Sequence, residues 1–195
     1  DSEAAFRLAG ADPVISVFRN QTKEAIQSSI DDITRVLDQS DILMLPGGFS
    51  AGDEPDGSGK YITAVLLNPY VKAAIHRFLS RKGLILGICN GFQALIKSGL
   101  LPWGVIGEIG QDYPTLAKNK VGRHIATMVR TKLITNASPW FYDFSPGEIH
   151  TMPVSHGEGR FMASQATLER LIQEHQIATQ YVNLQGQPTM SLPDN

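Results

Sequence analysis

Gly87-Ile88-Cys89-Asn90-Gly91 lies between a short apolar run and a stretch of helical periodicity. That is the form of a nucleophile elbow, G-x-Nuc-x-G, with cysteine at the reactive position. A strained strand-to-helix turn exposes the reactive side chain, and glycines two residues to either side relieve the crowding. The helix that follows aims its N-terminus at the sulfur, and that positive end favours the thiolate. A lone cysteine can also be a small buried hydrophobe. The paired glycines at a strand–helix junction favour the nucleophile.

A thiolate nucleophile needs a proton carrier, usually histidine, and a third group to orient it. The chain has 5 histidines. His156 stands out because Ser155-His156-Gly157-Glu158-Gly159-Arg160 follows a predicted strand and places a carboxylate two residues on. Residues i and i+2 of an extended segment face the same side, so Glu158 can hold the His156 ring. A glycine loop with an exposed polar pair accounts for the spacing equally well. His150, on the same predicted strand, is the alternative base. His76 and His124 lack a glycine context, and His175 ends a predicted helix, where its charge suits the dipole.

Acyl transfer through a thioester also needs backbone N–H groups aimed at the developing oxyanion. Leu45-Pro46-Gly47-Gly48-Phe49 ends the neighbouring strand, and its glycines let the backbone approach closely. The N–H groups of Gly48 and Asn90 are the assigned oxyanion donors; a plain tight turn is the alternative. Other matches fail. Gly57-Ser58-Gly59-Lys60 lacks the upstream glycine of a phosphate loop, and Tyr61 stands where Ser or Thr belongs. Asp53, Glu54 and Asp56 lack calcium-loop spacing.

These residues must be positioned by a scaffold. The chain has 195 residues, 42 % of them hydrophobic and 18 % charged, enough for one substantial core. A net charge of −2 argues against nucleic-acid binding. One cysteine cannot form an internal disulfide. The apolar runs Leu84 to Ile88 and Ile42 to Leu45 are too short to span a bilayer. A cytoplasmic protein is expected.

A short helix is predicted from Ser2, as N-cap, to Gly10. Pro13 to Phe18 alternates like a strand, and residues 22 to 38 read as one or two helices. Asp41 to Leu45 reads as a buried strand and Phe49 to Lys60 as a glycine- and acid-rich loop. Helices are predicted for Tyr61 to Leu67 and Pro69 to Ser80, a strand for Gly83 to Ile88, and a helix for Gly91 to Ser98. Val121 to Leu133 and Glu148 to Ser155 read as strands, Glu169 to His175 as a helix, and Ile177 to Asn183 as a strand. The pattern predicts an α/β fold: a three-layer, open, largely parallel sheet flanked by helices, with some antiparallel strands in the middle. The chain reads as a single domain, 1–195. Its ends suggest a piece of a larger polypeptide.

LPGGFSAGD (Leu45 to Asp53), LGICNGFQ (Leu86 to Gln93) and SHGEGRF (Ser155 to Phe161) together resemble the class I, triad-type glutamine amidotransferase domain of the phosphoribosylformylglycinamidine synthase family. The similarity continues through GLLPWG (Gly99 to Gly104) and covers most of the chain. Gly52 to Lys60 resembles the long, single-polypeptide bacterial type. The resemblance implies a flavodoxin-like amidotransferase fold, a first strand before Asp1, and a further loop, strand and helix beyond Asn195. It also implies a triad of Cys89, His156 and Glu158, and contact of Gln93 with the substrate glutamine. Gly47, Phe49 and Ser138 would line the same pocket. No metal or cofactor is implied for this domain; ATP and magnesium belong to a synthetase region, which would receive the ammonia. The rival is a cysteine hydrolase or stress protein of the intracellular cysteine-peptidase superfamily. Those proteins usually draw their acid from an early strand, so the H-x-E pair separates the two.

Overall fold

The computed structural model describes residues 1–48, 59–107, 109–110 and 112–190. After α1 (Ser2–Leu8), α2 (Lys23–Gln39) runs as one helix. It starts where Thr22 Oγ1 accepts from the Ala25 N–H at 3.1 Å, an N-cap that satisfies one of the helix's orphan donors. Ile26, Ile30, Ile33 and Leu37 recur at helical spacing and turn into the core. In α4 (Pro69–Ser80), Asn68 caps the first turn and Pro69 occupies a position where a missing N–H is harmless. Its Val71, Ala74, Ile75 and Phe78 are buried.

Between these helices lie β1 (Ile42–Leu45) and β2 (Leu84–Gly87), paired in parallel from Ile42↔Leu84 to Leu45↔Gly87. In-register pairing brings both carboxyl ends to one place, where ligands gather in open α/β sheets. Here α5 (Asn90–Lys97) starts directly after β2, and α3 (Lys60–Leu66) packs against it. Leu66, Ala94, Leu95, Leu100 of α6 (Leu100–Trp103) and Ile106 complete the core.

The second half is antiparallel. β4 (Ile125–Leu133) pairs with β5 (Ile149–His156) and with β7 (Thr179–Tyr181), giving the order β5-β4-β7. β3 (Thr115–Ala117) pairs with β6 (Arg160–Met162) in a separate small sheet, and α7 (Gln165–Gln173) follows. The fold is α/β, as the alternation of elements predicts. Among the described residues the parallel pairing is confined to β1 and β2.

Three expectations need correction. Pro13–Phe18 is not a strand: it runs without a ladder partner among the described residues, with Val14, Ile15 and Val17 exposed. Side chains hold it instead, through Ser16 Oγ to Asp32 Oδ2 at 2.7 Å and the Arg19 N–H to Ser29 Oγ at 2.9 Å. The strand predicted from Val121 starts only at Ile125, because Asn119 and Gly122 form a turn. The last helix begins at Gln165, four residues before its predicted start, since Ser164 Oγ caps it by accepting from the Thr167 N–H.

Candidate active site

Cys89 sits between β2 and α5 with φ 52° and ψ −109°, a backbone region that non-glycine residues rarely enter. Strain of this kind costs about 1–3 kcal/mol and persists only where the surroundings over-determine it. Here they do. The Ile88 N–H donates to Leu45 O at 3.1 Å and the Gly91 N–H to Ile88 O at 2.9 Å. A Cβ at Gly91 would collide with the Leu45 backbone, and one at Gly87 would come within 2.6 Å of Leu95 Cδ1. Both flanking glycines are therefore required by close approach. The thiol is exposed.

Gly47 lies against the cysteine: a Cβ there would stand 3.1 Å from Cys89 Cβ and 3.9 Å from Sγ. Gly48 follows with φ 99°, a conformation that suits glycine. Asn90, 2 % exposed, opens α5. Phe49 and the acidic loop to Ser58 lie outside the described residues.

Cys89 Sγ approaches Ser155 O at 3.7 Å, so the sulfur meets the end of β5, next to His156. The His156 ring lies flat over Gly159, where a Cβ would come within 2.5 Å of Nδ1. That nitrogen is 2.9 Å from Asn119 Oδ1. Glu158 presents its backbone carbonyl to Gln93 Nε2 at 2.9 Å. Gln93 is 4 % exposed, and its Oε1 has no hydrogen-bond partner among the described residues. The stretch from Cys89 into α5 and the segment from Ser155 to Glu158 thus meet at two points.

Burial, and then the charge of nearby His124, hold His156 below the ordinary histidine value. His124 itself is 2.9 Å from Ser155 Oγ (Nε2 to oxygen). A low value keeps the imidazole neutral, the form that can take a proton. His150 lies six residues back along β5, about 20 Å at strand rise. It faces Glu148, Nε2 to Oε2 3.3 Å, and the edge of Phe144. His150 is therefore not a base for Cys89. Ser138 caps a short 3₁₀ turn, Pro139–Phe141, by accepting from the Trp140 N–H. The Trp140 indole donates to Ile85 O of β2 at 3.1 Å, which fastens this loop to the strand that carries the elbow.

Two residues of this neighbourhood carry no sequence signal. Asn119 is a single asparagine in a loop; of its side-chain partners Arg123 O is local, and His156 is brought in by the tertiary fold. His124 is marked only by its place opposite the end of β5, one residue before Ile125, the register partner of His156.

A family profile described as the CobB/CobQ-like glutamine amidotransferase domain matches residues 1–195. The phosphoribosylformylglycinamidine synthase subunit PurQ of Gloeobacter violaceus is 34 % identical over 152 residues, 77 % of this chain and 58 % of its own length. The PurQ of Treponema denticola is 37 % identical over 193 residues, 93 % of this chain and 66 % of its own length. That of Chlorobium chlorochromatii is 30 % identical over 202 residues, 100 % of this chain and 72 % of its own. The chain thus spans less than two thirds of the length of several of these relatives. The structure of PurLQS from Thermotoga maritima shares the fold, with a TM-score of 0.63 at 23 % identity over 93 % of this chain and 68 % of that one. The chain belongs to the CobB/CobQ-like glutamine amidotransferase domain family, of the type represented by the phosphoribosylformylglycinamidine synthase subunit PurQ.

Proposed function

We propose that this chain hydrolyses glutamine to glutamate and ammonia through a γ-glutamyl thioester on Cys89. The observation that carries this reading is the strained Cys89 backbone at the start of α5, with its sulfur against the strand end that bears His156. A proton passes from the thiol to His156, and the thiolate attacks the side-chain amide carbon of glutamine. The N–H groups of Gly48 and Asn90 hold the tetrahedral oxyanion. As the carbon–nitrogen bond breaks, His156 returns the proton to the leaving nitrogen, which departs as ammonia. His156 then deprotonates a water that attacks the thioester, and glutamate leaves as the thiolate re-forms. Glu158 completes the triad, and Gly47, Phe49 and Ser138 shape the glutamine pocket; Gln93, a glutamine contact by family resemblance, also ties α5 to the Glu158 carbonyl.

The family relationship supports the destination of the ammonia. A synthetase, in the same polypeptide or as a separate subunit, would use it with ATP and magnesium to convert formylglycinamide ribonucleotide to formylglycinamidine ribonucleotide. Neither cofactor is assigned to this chain. The test is incubation with a glutamine-like diazo-ketone, with the adduct mapped by mass spectrometry. Labelling at Cys89 is expected, and glutamine should protect against it. An unlabelled Cys89 in the complex with its synthetase would sink the proposal. Glu158→Gln tests the triad: glutamine turnover should fall by about 10²-fold or more.

A further inference from the structure

Between β3 and β4 the chain runs Lys118-Asn119-Lys120-Val121-Gly122-Arg123-His124, a basic stretch without a carboxylate in a protein whose net charge is −2. This loop is pinned at both ends to the segment that faces the Cys89 sulfur. At one end Asn119, 3 % exposed, donates its backbone N–H to Gly157 O at 2.9 Å and its amide Nδ2 to His156 O at 2.8 Å. At the other end His124 Nε2 lies 2.9 Å from Ser155 Oγ. Across the loop Nδ2 also donates to Arg123 O at 3.0 Å, and the Gly122 N–H closes a turn on Asn119 O at 3.0 Å. The tip, Lys120 to Arg123, is exposed throughout. Neither Lys120 nor Arg123 forms an ion pair among the described residues. Val121 stands between them, 44 % exposed.

We propose that the tip Lys120–Arg123 docks on an acidic surface of the synthetase that receives the ammonia. The partner's identity rests on the glutaminase reading; the call for a carboxylate-bearing protein face rests on the loop itself. A loop braced by its own hydrogen bonds holds its cations outward, so little ordering is left to be done on binding. A small anion needs donors that converge, whereas here a lysine and an arginine flank an exposed valine and the Gly122 N–H is already spent on Asn119 O. Nucleic acid draws on roughly 6–10 phosphate contacts and a basic excess, and this chain carries a net charge of −2. Cations around an apolar residue suit a protein face, with carboxylates opposite Lys120 and Arg123 and an apolar spot opposite Val121. The anchors give the position its meaning. They end on Ser155 to Gly157, and Ser155 O stands 3.7 Å from Cys89 Sγ. A partner seated on the tip therefore bears on the segment that surrounds the sulfur, which links docking to glutamine hydrolysis.

Carbodiimide coupling of the complete enzyme, this chain with its synthetase, joins a lysine amine to a touching carboxylate, and peptide mapping reads the pair. Lys120 should couple to an aspartate or glutamate of the synthetase. The double variant Lys120→Glu/Arg123→Glu changes only exposed side chains. It should lower glutamine-supported synthesis by about tenfold or more while ammonia-supported synthesis stays unchanged. A Lys120 that couples to no synthetase carboxylate overturns the proposal, and this decides it even where the double variant does not fold. A folded double variant with full glutamine-supported synthesis overturns it equally. So does a single-stranded oligoribonucleotide that binds the wild-type loop and not the double variant while synthesis from glutamine is untouched. An enzyme that makes product from ammonia and never from glutamine, with Cys89 unlabelled by the diazo-ketone, would overturn the glutaminase reading instead, and the Lys120 cross-link would still decide the docking.

Discussion

Around His156 two glycines, two residues apart, stand in opposite situations. At Gly157 an added Cβ would meet nothing within 4 Å, whereas at Gly159 it would strike the imidazole at Nδ1, Cε1 and Cγ. Neither has the positive φ that only glycine tolerates readily. Gly159→Ala should therefore push the ring off its position and lower glutamine turnover by about 10²-fold, since small misplacements in an active site carry penalties of that size. Gly157→Ala should keep most of the turnover and the thermal midpoint. Kinetics and a melting curve on the pair check this. A second residue-scale expectation concerns charge. Burial first, and then the charge of His124, hold the His156 pKa below the ordinary value, so the imidazole stays neutral further into acid. Removing that charge in His124→Gln should raise the His156 pKa. The acid limb of kcat/KM for glutamine should then move to higher pH, and an unmoved or lower limb would refute the coupling.

At the scale of elements, legibility followed locality. β2 and α5 could be read because a four-residue apolar strand, a bounding pair of glycines and a 3.6-residue period are all local signals. The elbow, and with it Cys89, was therefore visible in the sequence. Pro13–Phe18 has the alternation of a strand, but alternation describes a surface and a strand also needs a ladder partner. The chain supplies it with hydroxyl and carboxylate tethers to α2 instead. β3 and β6 have three residues each and pair across the whole β4–β5 hairpin, too short and too distant for any period to show. Asn119 was illegible for the same reason, because tertiary structure brings His156 to it. The caps, in contrast, are local and testable. Asn68 Oδ1 accepts from the Tyr70 N–H at 3.0 Å at the start of α4, the helix that buries Phe78. Asn68→Ala should lower stability by about 1 kcal/mol without touching turnover. Phe78→Ala should cost about 3–5 kcal/mol. Denaturant titration measures both.

Over the whole molecule, nucleophile and base come from different halves. Cys89 belongs to the parallel pair and its helices; His156 ends a strand of the antiparallel sheet. The seam between them is closed near the site by Gln93 Nε2 on Glu158 O at 2.9 Å and by the Trp140 indole on Ile85 O at 3.1 Å. A catalytic pair split across a seam depends on the rigidity of that seam, because each half can keep its own geometry while the sulfur and the imidazole drift apart. Gln93 can act here in two ways, as a clasp or as a group that touches glutamine, and kinetics separates them. Loss of a clasp leaves substrate contacts in place and misaligns the reacting groups, so the penalty falls on kcat. Loss of a uniform substrate contact falls on KM. The buried side chain, with its donor already committed to the Glu158 carbonyl, favours the clasp. Gln93→Leu should therefore lower kcat by about tenfold or more with KM changed little, and Trp140→Phe, which opens the other fastening, should move kcat in the same direction. A Gln93→Leu protein with full kcat and a raised KM would assign the residue to the substrate instead.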